Sequence, residues 1–155
     1  MTNEREEGFG NRGNEKQRKK EGANMAKARK VKQISFSLPN KIGLLAEVTG
    51  ALAKANVNIE AICAYERGYG FFMMVTDNQA KARKVITKME GMVHVEEVIA
   101  VDMPNKVGQL EKVTSAIAGA GIDIHFVYGS PGDGKKGVMV LKTSNDKKVL
   151  KMLNG

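Results

Sequence analysis

One stretch of this 155-residue chain occurs twice. Pro39-Asn40-Lys41-Ile42-Gly43 returns as Pro104-Asn105-Lys106-Val107-Gly108, and residues 39–62 and 104–127, aligned at an offset of 65, agree at eleven of 24 positions. Leu45/Leu110, Val48/Val113, Thr49/Thr114, Ala51/Ala116 and Ile59/Ile124 are among them. Later, Thr76-x-Asn78 matches Thr143-x-Asn145 at offset 67, so the hairpin turn of the second copy is two residues longer. Self-similarity on this scale marks one supersecondary unit used twice. A unit of about 65 residues buries too little surface to be comfortable alone, so the copies are expected to pack together.

Periodicity gives the content of the unit. Gln33 to Leu38 alternates polar and apolar residues, the period of a half-buried strand, and Pro39 to Gly43 breaks it. Leu44, Leu45, Val48, Leu52 and Ala55 then recur at helical spacing. Asn58 to Glu66 reads as a strand, Arg67 to Gly70 as a turn, and Phe71 to Thr76 as a further strand. Asp77-Asn78 offers an N-cap for a helix bearing Ala82, Val85, Ile86 and Met89, with Gly91 as its stop. Val93 to Met103 is again extended. The order is β-α-β-β-α-β, and the second copy repeats it from Pro104.

The predicted class is therefore α+β. It consists of a ferredoxin-like βαββαβ module repeated twice, with antiparallel sheets, helices on one face, and a second copy that lacks its last strand. The expected division is a disordered basic tail over 1–30, a first module over 31–97 and a second, C-terminally incomplete module over 98–155. Only Val93 to Met103 lies between the modules, so it must end one and open the other. A partner filling the gap in the second copy, or a longer parent chain, would account for the missing strand.

Charge narrows function less than it first suggests. The net charge is +8, but residues 1–30 hold nine Lys or Arg against five acids and the remaining 125 hold sixteen against twelve. Half the excess thus sits in a polar segment too poor in apolar residues to offset its ordering entropy. Met25 is an alternative start that would omit most of it. Hydrophobic residues make up 42%, enough for a core, and no apolar run reaches the roughly 18 residues of a membrane span. No secretory signal pattern opens the chain, so a cytoplasmic location is expected. The single cysteine, Cys63, excludes an intramolecular disulfide and a Cys-cluster metal site.

The turn after the first strand is the candidate site. A helix that starts just beyond Asn40-Lys41-Ile42-Gly43 presents unpartnered N–H groups and the positive end of its dipole, which attract an anion such as a carboxylate. Gly43 allows close approach to the backbone, Lys41 adds charge, and Asn40 can donate or accept. Asn105, Lys106 and Gly108 repeat the set. The bland alternative is that Asn40 and Asn105 merely cap their helices.

These residues carry a resemblance. Pro39 to Val48, followed by Ala53-Lys54-Ala55-Asn56-Val57-Asn58-Ile59, resembles the signature of ACT domains, as does Pro104 to Leu110 with Gly121-Ile122-Asp123-Ile124. It covers about residues 32–155. ACT domains are ferredoxin-like modules that usually bind amino acids and regulate a linked or partner enzyme. Their ligand typically sits between two modules, touching the strand-to-helix loop of one and the second strand of the other. By position, the resemblance implies ligand-binding residues Asn40, Lys41, Ile42, Gly43, Leu44 and Leu45 with Asn58 and Ile59. In the second copy it implies Asn105, Lys106, Val107, Gly108, Gln109 and Leu110 with Asp123 and Ile124. Ile42 and Val107 depart from the family pattern, where Pro often precedes the Gly. The expectation is an allosteric regulator without catalytic residues, metal or cofactor. It would bind an amino acid or similar metabolite, form a homodimer and act on an enzyme partner.

Competing motifs are weaker. Arg67-Gly68-Tyr69-Gly70-Phe71 matches the start of an RNA-recognition signature and falls on the third strand, where that signature belongs. Yet the first strand offers only Phe36, and Lys136 to Val140 in the second copy has no aromatic. Single-stranded RNA binding is thus an alternative reading, with nucleic acid otherwise not expected. A ligand-free dimerisation module is another. Gly132-x-Gly134-x-x-Gly137 lies between strands and reads as a hairpin turn, not a dinucleotide loop. Cys63 reads as a structural thiol, and His94 and His125 lack metal-ligand spacing.

Overall fold

The computed structural model describes residues 26–130 and 136–155. The elements are β1 (Lys27–Pro39), α1 (Leu44–Lys54), β2 (Ile59–Arg67), β3 (Tyr69–Thr76), α2 (Gln79–Lys88) and β4 (His94–Pro104), then α3 (Gln109–Gly119), β5 (Ile124–Ser130), β6 (Lys136–Thr143) and α4 (Asp146–Asn154). All six strands form one antiparallel sheet in the order β2-β3-β1-β4-β6-β5. The two copies are therefore not separate sheets packed together. They share a sheet through β1 and β4.

β4 serves both copies, pairing with β1 over His94–Asp102 and with β6 over Ile99–Pro104. β1 is also shared. Its C-terminal part, Ile34–Pro39, pairs with β3 in the first copy. Its N-terminal part, Lys27–Lys32, runs beside β4 where a last strand of the second copy would lie. Among the described residues the second copy has no closing strand of its own, and the chain's own first strand fills the gap that was expected to reflect a partner or a longer parent chain.

That strand begins earlier than the sequence indicates. Residues 26–30, assigned above to a disordered tail, are ordered here: Ala26 and Ala28 are buried, and β1 starts at Lys27. Lys27, Arg29 and Lys30 mask the alternation, because only the alanines between them face the core. Residues 1–25 lie outside the described residues, as does most of the Gly132–Gly137 turn; β5 and β6 pair antiparallel on either side of it.

All four helices cover one face. Ile34, Phe36 and Leu38 of β1 pack with Leu44, Val48 and Leu52 of α1 and Ala82 and Ile86 of α2. Ala28 of the same strand packs with Ile99 and Val101 of β4, Val113 and Ile117 of α3 and Val149 of α4. Asn78 and Asn145 cap α2 and α4, accepting from the N–H of Lys81 at 3.0 Å and of Lys148 at 3.1 Å. The stop of α2 differs from expectation. Glu90, not Gly91, takes the left-handed conformation (φ 68°). Gly91 is needed for close packing instead, since a Cβ there would meet Ile86 at 2.8 Å.

Among the described residues the opposite face has no helix, yet Val75, Val98 and Val140 are buried there with Val31, Ala61, Phe126 and Tyr128 packed around them. Strong curling of the sheet explains this. β5 and β1 are three strand spacings apart, about 14 Å in a flat sheet. The Tyr128 hydroxyl of β5 nevertheless donates to Gln33 Oε1 of β1 at 2.7 Å. The edge strands β2 and β5 approach each other across this concave face.

Candidate functional site

Both strand-to-helix loops adopt the same geometry. Gly43 (φ 85°) and Gly108 (φ 83°) occupy the N-cap positions of α1 and α3 in the left-handed conformation, with no side-chain cap. Capping by Asn40 and Asn105 is thereby excluded; both side chains are exposed. The turn is closed by Leu44 N–H donating to Lys41 O and Gln109 N–H donating to Lys106 O, both at 3.2 Å. Glu47 and Lys112 N–H donate to the carbonyls of Gly43 and Gly108. Among the described residues, this leaves the N–H groups of Leu45 and Ala46, and of Leu110 and Glu111, without acceptors at the positive ends of two helices.

The loop tips are apolar. Ile42 and Val107 are fully exposed, at 105% and 104%, and Leu45 and Leu110 are half exposed beside them. Ile62 and Val127, also equivalent at offset 65, are exposed on the edge strands β2 and β5. Leu44 is different: it is buried in the core, so it offers the site only backbone. Lys41 pairs with Glu47 at 2.7 Å. The second copy has Lys112 where the first has Glu47, so that pair is not repeated.

The second-strand residues do not meet the loops of their own copies. Asn58 and Ile59 lie beyond the far end of α1, and Asp123 and Ile124 beyond the far end of α3. Eleven helical residues separate the ends by roughly 16 Å. Asn58 N–H donates to the Asp77 carboxylate and Asp123 N–H to the Ser144 hydroxyl, so each strand start is anchored to the turn before the next helix. Asp123 and Ile124 also line an open cavity of about 410 Å³ with Thr114, Ser115, Ala118 and Ile122. Sequence reasoning missed the helical side of this cavity; the polar pair Thr114-Ser115 between Val113 and the run Ala116-Ile117-Ala118 was the available signal.

A second polar cluster was also missed. Fully buried Gln33 donates to Glu96 Oε1 at 3.1 Å while accepting from Tyr128. Burial pushes the Tyr128 phenol well above its ordinary range, with the nearby Cys63 and Glu96 adding to the shift. Cys63 is thus a half-buried neighbour of the β5 edge. The two aromatics of the RNA-like motif, Tyr69 and Phe71, stand two residues apart on β3 and share a face, whereas Phe72, next in the chain, turns to the opposite one. Phe36 stacks on Phe72 (4.8 Å) inside the helix-side core, and Tyr65 stacks on Phe71 (5.3 Å) on the other face.

Comparison with known proteins agrees with this architecture. A family model described as an ACT domain pair matches residues 29–153. The structure of protein BT0572 from Bacteroides thetaiotaomicron superimposes with a TM-score of 0.74 at 31% identity, covering 81% of this chain and 88% of that one. The regulatory subunit of aspartate kinase from Thermus thermophilus, in a ligand-free form, gives a TM-score of 0.61 at 16% identity, covering 85% and 96%. Escherichia coli aspartokinase III, crystallised with lysine and aspartate, gives 0.53 at 15% identity, covering 83% of this chain and 31% of the enzyme. Among curated proteins no sequence matches. With its repeat, shared sheet and two glycine-capped loops, the chain belongs to the family of ACT domain pairs.

Proposed function

We propose that this protein is a non-enzymatic regulator that binds an amino acid, or a metabolite with the same carboxylate and ammonium groups, and does so as a cytoplasmic homodimer. The observation that carries the reading is the loop pair. In both copies a left-handed glycine opens a helix whose second and third N–H groups are free, and a fully exposed aliphatic residue precedes that glycine. A carboxylate fits those N–H groups. An exposed Ile or Val at the tip is explained when a second surface covers it.

That second surface is another copy of the chain. Each loop is remote from the start of the second strand of its own module, Asn58 or Asp123, so a ligand touching a loop and such a strand start must bridge to another module. Asn58 and Asp123 at the strand starts are suited to an ammonium group. Support for the amino-acid class also comes from the similar fold of aspartokinase III, which was crystallised with lysine and aspartate. A ligand bound across two modules stabilises the arrangement it touches, and an enzyme partner would read that arrangement.

A thermal-shift screen against the twenty amino acids tests the proposal, with Gly43→Asp and Gly108→Asp as controls and light scattering to follow assembly. Binding at a hundredfold excess over Kd adds roughly 2.7 kcal/mol. A shift with one or a few related amino acids, removed by either variant, supports the reading. A dimer that responds to none would favour a ligand-free assembly module.

A further inference from the structure

The mild positive charge of the folded region is not spread evenly. Helices α2 and α4, equivalent in the repeat, together hold seven Lys or Arg and one acid, Asp146, whose carboxylate is occupied by Lys142 at 2.8 Å. Lys81 and Lys84 recur as Lys148 and Lys151 at the repeat's own offset of 67, and all four are exposed. Among the described residues, none of the seven cations pairs with a carboxylate.

The fold brings the two helices onto one strand. α2 packs on the C-terminal part of β1 and α4 on its N-terminal part. Between them, on the same face, stand the exposed Lys30 and Lys32. The carboxylate of Glu97 is the acid beside them, and it pairs with Lys30 at 3.4 Å. From Ala28 to Phe36 the strand runs about 26 Å at roughly 3.3 Å per residue. The outer helix layer thus carries a band of lysines across both modules, on the face opposite Tyr65 and Phe71.

We infer that this band, Lys81 and Lys84 of α2 with Lys148 and Lys151 of α4 flanking Lys30 and Lys32, is a docking surface for the phosphate backbone of a nucleic acid. The chemistry separates this occupant from two others. Membrane-surface helices insert an apolar face, whereas the apolar faces of α2 and α4 are committed to the core, and no exposed large hydrophobic residue lies on either helix. Specific protein interfaces centre on Trp, Tyr or Arg anchors and are depleted in Lys. A surface of lysines, with Arg83 its one guanidinium and no exposed large apolar group, fits a polyanion tracked mainly by charge, so binding should be largely independent of sequence.

Fluorescence anisotropy of the full chain with a labelled, mixed-sequence DNA single strand of roughly twenty nucleotides, and with its duplex, tests the inference. The expected result is binding at low salt that weakens linearly in log Kd against log salt. Replacing Lys81, Lys84, Lys148 and Lys151 together by Gln should reduce the single-strand slope by about three and replacing them by Arg should restore it. Tyr69→Ala, on a different surface, should leave binding unchanged. Unaltered melting of the Gln variant shows that its fold is kept. Absence of binding at low salt, an unchanged slope in the Gln variant, loss of binding in Tyr69→Ala, or capture by phosphatidylserine vesicles without any response to the oligonucleotides would each overturn it. The amino-acid screen is read separately, by stability, so either conclusion can fail without the other.

Discussion

Asn154, at the end of the last helix, holds Ala28, at the start of the first strand. Its side-chain Oδ1 accepts from the Ala28 N–H at 2.9 Å and its Nδ2 donates to the Ala28 carbonyl at 2.7 Å. β3 does not extend this far along β1, so the amide of Asn154 takes the place of a strand neighbour on that side. Asn154→Ala should cost about 1–3 kcal/mol, because it leaves part-buried backbone groups without partners. Urea denaturation measures the loss. Cleavage of the chain between the two repeats should leave neither half folded, which circular dichroism of the separate fragments would show.

The loop glycines are required by backbone conformation rather than by space. No atom lies within 4 Å of a Cβ built at Gly43 or Gly108, yet both have φ near the left-handed well. Gly43→Ala and Gly108→Ala should each destabilise by about 1 kcal/mol, and Asn at either position should cost less. Equal losses for Ala and Asn in thermal melts would argue against this account.

Tyr128→Phe removes the donor to Gln33 Oε1 in a fully buried amide and should cost about 1–3 kcal/mol. The raised phenol pKa has a linkage consequence. The unfolded tyrosine ionises near its ordinary value of 10.0 while the folded one stays neutral. This contribution to stability is therefore complete below pH 10.0 and is lost as pH rises beyond it. Wild type should lose stability there more steeply than Tyr128→Phe, as read by denaturation at a series of alkaline pH values.

Asp146 produces the opposite trend in acid. Burial pushes its carboxyl up, but hydrogen bonds from Lys142 Nζ and from Thr143 Oγ1 and N–H together hold it below its ordinary range. A depressed carboxyl stabilises the fold above the unfolded pKa and stops doing so as pH falls through the folded one. Asp146→Asn should therefore flatten the acid limb of the stability profile below the ordinary carboxyl value of 3.8 while lowering stability at neutral pH.

The repeat and its periodicities contain most of the fold. Ile34, Phe36 and Leu38 alternate cleanly because one face is core and the other partly wet, and the helices following the two Pro-Asn-Lys turns are amphipathic. The double use of β1 was hidden because Lys27, Arg29 and Lys30 obscure a strand whose inward residues are only alanines. The curl of the sheet was hidden as well. No local pattern announces that Gln33 and Tyr128, 95 residues apart, will bond, and a polar Gln in a strand ordinarily reads as solvent-facing. The two candidate loops were legible, because Gly43 and Gly108 stand in repeated contexts. The cavity beside Thr114 and Asp123 was not, since it depends on how α3 sits against the start of β5.

The double duty of β1 also sets a timetable. On a ribosome the strand's N-terminal half is made before the rest of the sheet, but its helical cover, α4, is made after all six strands, and Ala28 waits for a residue 126 positions downstream. Contacts this distant in sequence slow folding. Until they form, the alanine-lined face of Lys27–Lys32 stays open to other chains, and the charges that obscured the strand in the sequence protect it from sticking during that interval.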